Sequence, residues 1–155
     1  MTVAPKTALT IVRMLDAPRE KVWRAFREPE ALKHWWGLPR GAAMPTCNVD
    51  FRVGGSFHCE IEMSGQPRIW FKWIYREIIE GAWVVLEQHF SDAAGTERDS
   101  SDRPISTITL RFEDSGGKTK LTVTQAGMAS EKYPVEMYQE GWSDSLDRLA
   151  DSLNL

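Results

Sequence analysis

Apolar residues recur at every second position through most of the middle of this 155-residue chain. In the segment 57–63, FHCEIEM, apolar side chains alternate with polar ones, which is typical of a strand with one covered and one wet face. Three pairs of such segments are joined by glycine-containing turns and are therefore predicted to form hairpins. The turns lie at Gly54-Gly55, at Glu80-Gly81 and in DSGGK at 114–118. The pattern predicts about six antiparallel strands.

Helical signals flank these strands. A first strand at Thr7 to Leu15 leads into DAPREKVWRAF, where Asp16 is the expected N-cap and Pro18 suits the first helical turn. A second short helix is expected from Pro29 to about Trp35, with its end near Gly37.

From Pro134 onward the apolar period returns to 3.6 residues, which indicates a long amphipathic helix. Its apolar face is formed by Tyr138, Trp142, Leu146, Leu149 and Leu153. A hairpin sheet with one apolar face needs a cover, and this helix is the only element large enough to provide it. The chain therefore predicts a single α+β domain over residues 1–155, in which a curved sheet of six or seven strands wraps around the last helix. A curved sheet and one helix meet imperfectly, so a cavity with aromatic walls is expected between them.

Charge and composition narrow the functional classes. A net charge of −3, with no basic stripe, argues against a nucleic-acid-binding surface. No segment approaches the ~20 apolar residues of a membrane helix, and the N-terminal region shows no signal peptide, so we expect a cytoplasmic protein. Cys47 and Cys59 lack CxxC spacing and are expected to be reduced thiols in that compartment.

Catalytic and metal-binding motifs are lacking. The three histidines, His34, His58 and His89, show no metal-ligand spacing such as HExxH, and we expect His58 and His89 to face solvent. The sequence GWSDS around Ser143 is not the GxSxG elbow of a nucleophilic serine. We therefore expect no metal, no cofactor and no covalent catalysis.

The orientation of Glu77 is open. Glu77 shares the parity of Trp73 and Tyr75, so on a concave face it would be a carboxylate among aromatic rings, with a raised pKa and a role as acid, base or ligand anchor. The alternate set, Ile74 and Ile78 with Arg76, also allows the opposite orientation, and the sequence alone does not decide between the two.

Gly141 lies inside the last predicted helix, where glycine costs about 1 kcal/mol relative to alanine. Close approach of that helix to the sheet is the simplest reason for it. A widened mouth of the pocket is the alternative.

The adjacent pair Trp35-Trp36 stands out among seven tryptophans. Neighbouring side chains in a regular element point in different directions, so the two indoles cannot both face one core from a helix or strand. Either one indole packs beneath the short helix while the other turns toward the cavity, or both fill the gap between helix and sheet.

The order of these elements resembles the helix-grip fold of the START-like superfamily, also called SRPBCC or birch-pollen-allergen-like. Within it, the chain is similar to the family homologous to the C-terminal domain of the activator of heat-shock-protein-90 ATPase. The motifs that carry the resemblance are DAPREKVWRAF-REPEALKHWWG, VDFRVGGSF, YREI, TKLTVTQAGM and GWSDSLDRLADSL. Gln125 and Trp73 depart from the family pattern, and the chain lacks the separate N-terminal domain of a full co-chaperone, so chaperone activation is not expected.

The fold and the aromatic content together predict a cavity that binds a small apolar or aromatic molecule. The expected walls are Trp35, Phe57, Ile61, Trp73, Ile108, Leu110 and Trp142, and the expected polar anchors are Tyr75, Glu77 and Gln125. Two alternatives remain open. One is an interaction module or homodimer that uses an exposed Trp35-Trp36 patch. The other is a cofactor-free enzyme for a polyketide-like or aromatic substrate, in which Glu77 acts as acid or base.

Overall fold

The computed structural model describes residues 8–36, 42–100 and 103–154. Within these residues the chain forms seven strands and three helices. The strands are β1 (Ala8–Leu15), β2 (Ala42–Val49), β3 (Ser56–Met63), β4 (Ile69–Ile79), β5 (Trp83–Ser91), β6 (Ser106–Ser115) and β7 (Lys118–Ala126). The helices are α1 (Arg19–Arg27), α2 (Pro29–Trp35) and α3 (Val135–Leu153).

The seven strands form one antiparallel sheet that curls into a half-barrel. The strand order is β1-β7-β6-β5-β4-β3-β2, so neighbours from β2 to β7 are also consecutive in sequence. The first strand, β1, forms one edge of the sheet and pairs with β7. The predicted α+β class, with two short helices after the first strand, is confirmed.

The helix α3 supplies the cover that the sheet needs. Its buried residues Trp142, Leu146 and Leu149 belong to the same core cluster as inward-facing strand residues such as Leu110 and Phe112. Among the described residues no helix has the length and hydrophobicity needed to cross a membrane.

Helix boundaries agree with the sequence for α2 and differ for α1. The helix α2 spans Pro29–Trp35 as predicted, whereas Gly37 lies outside the described residues. The helix α1 begins at Arg19 with Pro18 in the N-cap position, and no side chain caps it. The predicted cap by Asp16 is wrong because Pro18 keeps an extended backbone (φ −67°, ψ 152°), which delays the helix until Arg19.

Two outward-facing residues are buried where the alternation predicts solvent. Glu60 in β3 is only 3 % exposed because Arg68 and Thr46 cover it, with Arg68 Nη1 at 3.2 Å from its carboxylate. His89 in β5 is 5 % exposed because the segment after β5 folds back over it, placing an Asp99 oxygen 2.7 Å from Nδ1. The alternation of residues along the strand predicted the correct face of the sheet for both side chains. It could not predict the loop and the side chains that cover them.

Candidate functional site

A cavity of about 240 Å³ lies between the first half of α3 and the concave face of the sheet. We call it the inner cavity. Its walls come from α3, from the strands β3, β4, β5 and β7, and from the residue immediately after α2. The lining residues are Trp36, Ile61, Phe71, Gln88, Gln125, Met137, Tyr138, Gly141, Trp142, Asp144 and Ser145.

The tryptophan pair divides between two sides of α2. Trp35 is fully buried beneath the helices, where its Nε1 donates to the Ala25 carbonyl at 3.0 Å and its ring packs edge-on against Phe26. Trp36 lines the inner cavity, and its ring meets the rings of Phe71 at 5.4 Å and Trp73 at 4.9 Å. The two indoles thus point in different directions, and Trp36 rather than Trp35 is the cavity wall.

Two buried amides on the sheet face the inner cavity, and the Gln125 amide is hydrogen-bonded through both its oxygen and its nitrogen. Its Oε1 accepts from Trp142 Nε1 at 2.7 Å, and its Nε2 donates to Ser106 Oγ at 2.9 Å. Gln125 is 1 % exposed. This amide therefore fixes the position of the Trp142 indole on the cavity wall.

The second amide, Gln88, keeps a free donor. Gln88 is 6 % exposed and its Oε1 accepts from Trp73 Nε1 at 2.9 Å. Since an indole N–H can only donate, this bond fixes which end of the amide is oxygen. Within the described part of the chain Nε2 has no hydrogen-bond partner, and it is not one of the fully enclosed orphan atoms of the interior. The Gln88 N–H groups are therefore open to the inner cavity.

Tyr138 adds a phenol to the wall that α3 contributes. The ring is half-buried, and burial raises the pKa of this phenol, while the positive charge of Arg103 works in the opposite direction. The hydroxyl is therefore neutral near pH 7 and available as donor and acceptor.

Gly141 widens the inner cavity. A Cβ built on Gly141 would meet no atom within 4 Å, apart from its own helix backbone and chain neighbours. The expectation that this glycine permits close approach of helix and sheet is therefore wrong. The alternative, a widened pocket, agrees with its place in the cavity wall.

The predicted site residues separate into three groups. Ile61, Gln125 and Trp142 line the inner cavity. The buried residues Trp35, Phe57, Trp73, Tyr75, Ile108 and Leu110 belong to the core and are not among its lining residues. Glu77 is exposed, because a register shift in β4 between Tyr75 and Glu77 moves the carboxylate to the outer face.

The prediction missed Trp36, Phe71, Gln88 and Tyr138 as cavity walls. A signal for Gln88 is present in the sequence, because Gln88 shares the inward parity of Val84, Leu86 and Phe90. A polar residue on an otherwise apolar strand face needs a partner or a ligand.

Comparisons with known proteins support the architecture. A family model described as Activator of Hsp90 ATPase homolog 1-like protein matches residues 16–154. The crystal structure of protein CV1439 from Chromobacterium violaceum is 30% identical, with a TM-score of 0.79 and coverage of 96% of this chain and 98% of that chain. A protein from Rhizobium leguminosarum is 26% identical, with a TM-score of 0.80 over 95% of this chain and 93% of its own.

A more distant structure shows the same fold. The AHSA1-like protein from Aeromonas hydrophila is 18% identical, with a TM-score of 0.71 over 94% of this chain and 92% of that chain. No curated protein matches the chain.

Proposed function

The chain belongs to the Activator of Hsp90 ATPase homolog 1-like family, and on this premise we propose that it binds a small apolar or aromatic molecule in the inner cavity. The observation that carries the proposal is the Gln88 amide, which is more than nine-tenths buried and directs free N–H groups into an apolar space. These N–H groups have no partner among the described residues, and a ligand oxygen in the inner cavity would supply one.

The size and chemistry of the inner cavity define the ligand class. Its volume of about 240 Å³ is below the range of roughly 300–1,000 Å³ that is common for drug-sized ligands. Trp36, Phe71 and Trp142 offer ring faces and edges to an aromatic body. The ligand is thus a one- or two-ring molecule, or an alkyl group of similar size, with one oxygen acceptor for Gln88.

The residues named for two alternative functions do not have the surroundings that those functions need. An interaction patch formed by Trp35 and Trp36 is contradicted, because these residues are only 0 % and 5 % exposed. The enzyme hypothesis needs Glu77 in aromatic surroundings, and this carboxylate lies on the outer face of β4.

The test is a titration of the full chain with 2-acetylnaphthalene by isothermal titration calorimetry, alongside native mass spectrometry of freshly purified protein. We expect one saturable site per chain. Gly141→Leu places an isobutyl group in the inner cavity and should weaken binding roughly tenfold or more.

The matched control is Glu140→Leu, which adds the same side chain at an exposed neighbouring position outside the cavity lining. It should leave the affinity unchanged. Equal effects of the two variants, or no saturable binding by the wild-type protein, would refute the proposed function.

A further inference from the structure

A second concave region, which we call the outer depression, borders the inner cavity. It holds about 670 Å³ and shares Ile61 and Phe71 with the inner cavity as common walls. Phe90 and three arginines, Arg68, Arg98 and Arg103, also line it. The outer depression therefore places a cationic rim beside the apolar inner cavity.

The three arginines differ in how their charge is balanced. Arg68 Nη1 lies 3.2 Å from a Glu60 carboxylate oxygen, and Arg98 Nη2 lies 2.9 Å from an Asp92 carboxylate oxygen. Arg103 has no carboxylate within ion-pair distance among the residues that the structure describes. Among the described residues of this rim, Arg103 is thus the arginine without a carboxylate partner.

Aromatic rings hold the Arg103 guanidinium in place without neutralising it. Its central carbon stands 4.8 Å from the Phe90 ring centre and 4.7 Å from the Tyr133 ring centre, and Nη2 donates to the Tyr133 hydroxyl at 3.0 Å. Such cation–π contacts fix orientation and leave the charge intact. Of the five N–H donors of an arginine, one is used by a described partner, so a fork for a bidentate acid group remains.

The strand β5 relates the free amide to the guanidinium. Gln88 and Phe90 are alternate residues on the inner face of β5, about 7 Å apart along the strand. Arg103 stands over Phe90, and Phe71 faces Phe90 from β4 at a ring distance of 5.0 Å. The Gln88 amide and the Arg103 guanidinium thus lie near successive inward-facing positions of one strand, one lining the inner cavity and the other the outer depression.

Among the described residues, Asp144 is the carboxylate that lines the inner cavity, and it lies further along α3 than Tyr138. Tyr138 is close enough to Arg103 for the guanidinium charge to affect the pKa of its phenol, which burial dominates and raises. Asp144 comes six residues after Tyr138, which is about 9 Å along the helix axis. Asp144 is therefore separated along α3 from the residue that the Arg103 charge influences.

We propose that the ligand of this protein is an organic anion, an aromatic or short alkyl carboxylate or sulfonate, whose acid group pairs with Arg103. The proposal rests on the proposed function, because the apolar body of the anion occupies the inner cavity. A purely structural Arg103, which only ties its loop to Tyr133, is the competing explanation.

The test compares 2-naphthoate with 2-naphthamide, which has the same shape and no charge. Both are titrated by calorimetry into the wild-type chain and into Arg103→Gln. We expect 2-naphthoate to bind more tightly than 2-naphthamide, and Arg103→Gln to weaken 2-naphthoate about tenfold while 2-naphthamide changes less than about twofold.

Arg98→Gln is the matched control, since Arg98 is on the same rim and is already paired with Asp92. It should leave both affinities within about twofold. Arg103→Lys keeps the charge and the contact with the rings, so it should retain part of the preference for 2-naphthoate even if Arg103→Gln folds poorly.

Equal affinity of the wild-type chain for 2-naphthoate and 2-naphthamide would overturn the role of Arg103 and leave the proposed function standing. The same holds if Arg103→Gln or Arg103→Lys weakens both probes by the same factor. Failure of both probes to bind the wild-type chain at one site would instead refute the proposed function itself.

Discussion

At the scale of single residues, the pair Trp35-Trp36 shows how two identical neighbours acquire different roles. Trp35 is the last residue of α2, and Trp36 is its C-cap with an extended backbone (φ −70°, ψ 128°). The helix directs Trp35 toward α1, and the change of backbone conformation directs Trp36 toward the sheet. The sequence predicts that the two rings diverge, but the choice of cavity wall depends on a backbone angle that no residue pattern encodes.

The two tryptophans should separate stability from binding. Trp35→Phe leaves the Ala25 carbonyl without its donor in the core, so we expect a loss of about 1–3 kcal/mol in the free energy of unfolding. Affinity for 2-acetylnaphthalene should stay unchanged, because Trp35 does not line the inner cavity. Urea unfolding and calorimetry measure the two quantities.

Trp36→Phe is the matched variant, because this side chain lines the inner cavity and packs against Phe71. It should change the affinity for 2-acetylnaphthalene. If Trp35→Phe alters binding while Trp36→Phe does not, the assignment of the two rings is wrong.

Glu77 and Gln88 show when the alternation of residues along a strand predicts the face of the sheet correctly and when it does not. Gln88 keeps the inward parity of its strand, so the pattern contains the information that a polar group faces the core. Glu77 comes after the register shift at Tyr75, and one extra residue in a strand reverses the face of the residues beyond it. A bulge of this kind has no reliable sequence signature, so an acid or base role for Glu77 could not be judged without the structure.

At the scale of the element, α3 consists of two halves with different tasks. Its C-terminal half buries Leu146, Leu149 and Leu153 in the solid core, as the 3.6-residue period predicts. Its N-terminal half places Tyr138 and Gly141 at the inner cavity. The 3.6-residue period of apolar residues identifies the buried face of α3. It cannot show where a small residue such as Gly141 leaves space.

Gly141 provides a direct test of that void. Gly141→Ala should raise the free energy of unfolding by roughly 0.5–1 kcal/mol, because alanine favours the helix and its Cβ meets no neighbour within 4 Å. Gly81→Ala is the control, since Gly81 adopts φ 74° in a turn and alanine there should destabilise the protein. Chemical denaturation of both variants measures the difference.

A loss of stability in Gly141→Ala would show that α3 lies closer to the sheet than the structure indicates. A gain, together with the block of binding by Gly141→Leu, would identify the glycine as a residue kept for its space at a cost in stability.

At the scale of the whole molecule, the hairpins in the sequence imply the strand order of the sheet. They do not imply the position of the cavity. Strands joined by short turns pair in sequence order, so most of the sheet order from β2 to β7 can be read from the pattern. The pairing of β1 with β7 and the position of α3 on the sheet depend on how large side chains pack. The inner cavity is the space that this packing leaves, which explains why only Ile61, Gln125 and Trp142 of the predicted walls line it.

The buried interior also makes the stability of the whole molecule sensitive to alkaline pH. Burial raises the pKa of Cys47 from 9.0 to about 11, and burial raises the pKa of Cys59 well above 9.0. The pKa of the Tyr75 phenol is shifted upward for the same reason. All three groups are neutral in the folded protein at pH values where the unfolded chain begins to lose protons.

The sign of the effect depends on which state binds more protons. Well below pH 9.0 the two thiols are protonated in both states and contribute nothing to the pH dependence. As the pH rises from 9.0 toward 11, the unfolded chain releases the thiol protons and the folded protein retains them, so the free energy of unfolding falls. We expect this fall in urea titrations between about pH 8 and pH 10.5, with a reductant present, and a shallower fall in the double variant Cys47→Ala and Cys59→Ala. Parallel slopes for the two proteins would mean that the thiols ionise alike in the folded and unfolded chains, and that the β2–β3 region admits more water than its burial implies.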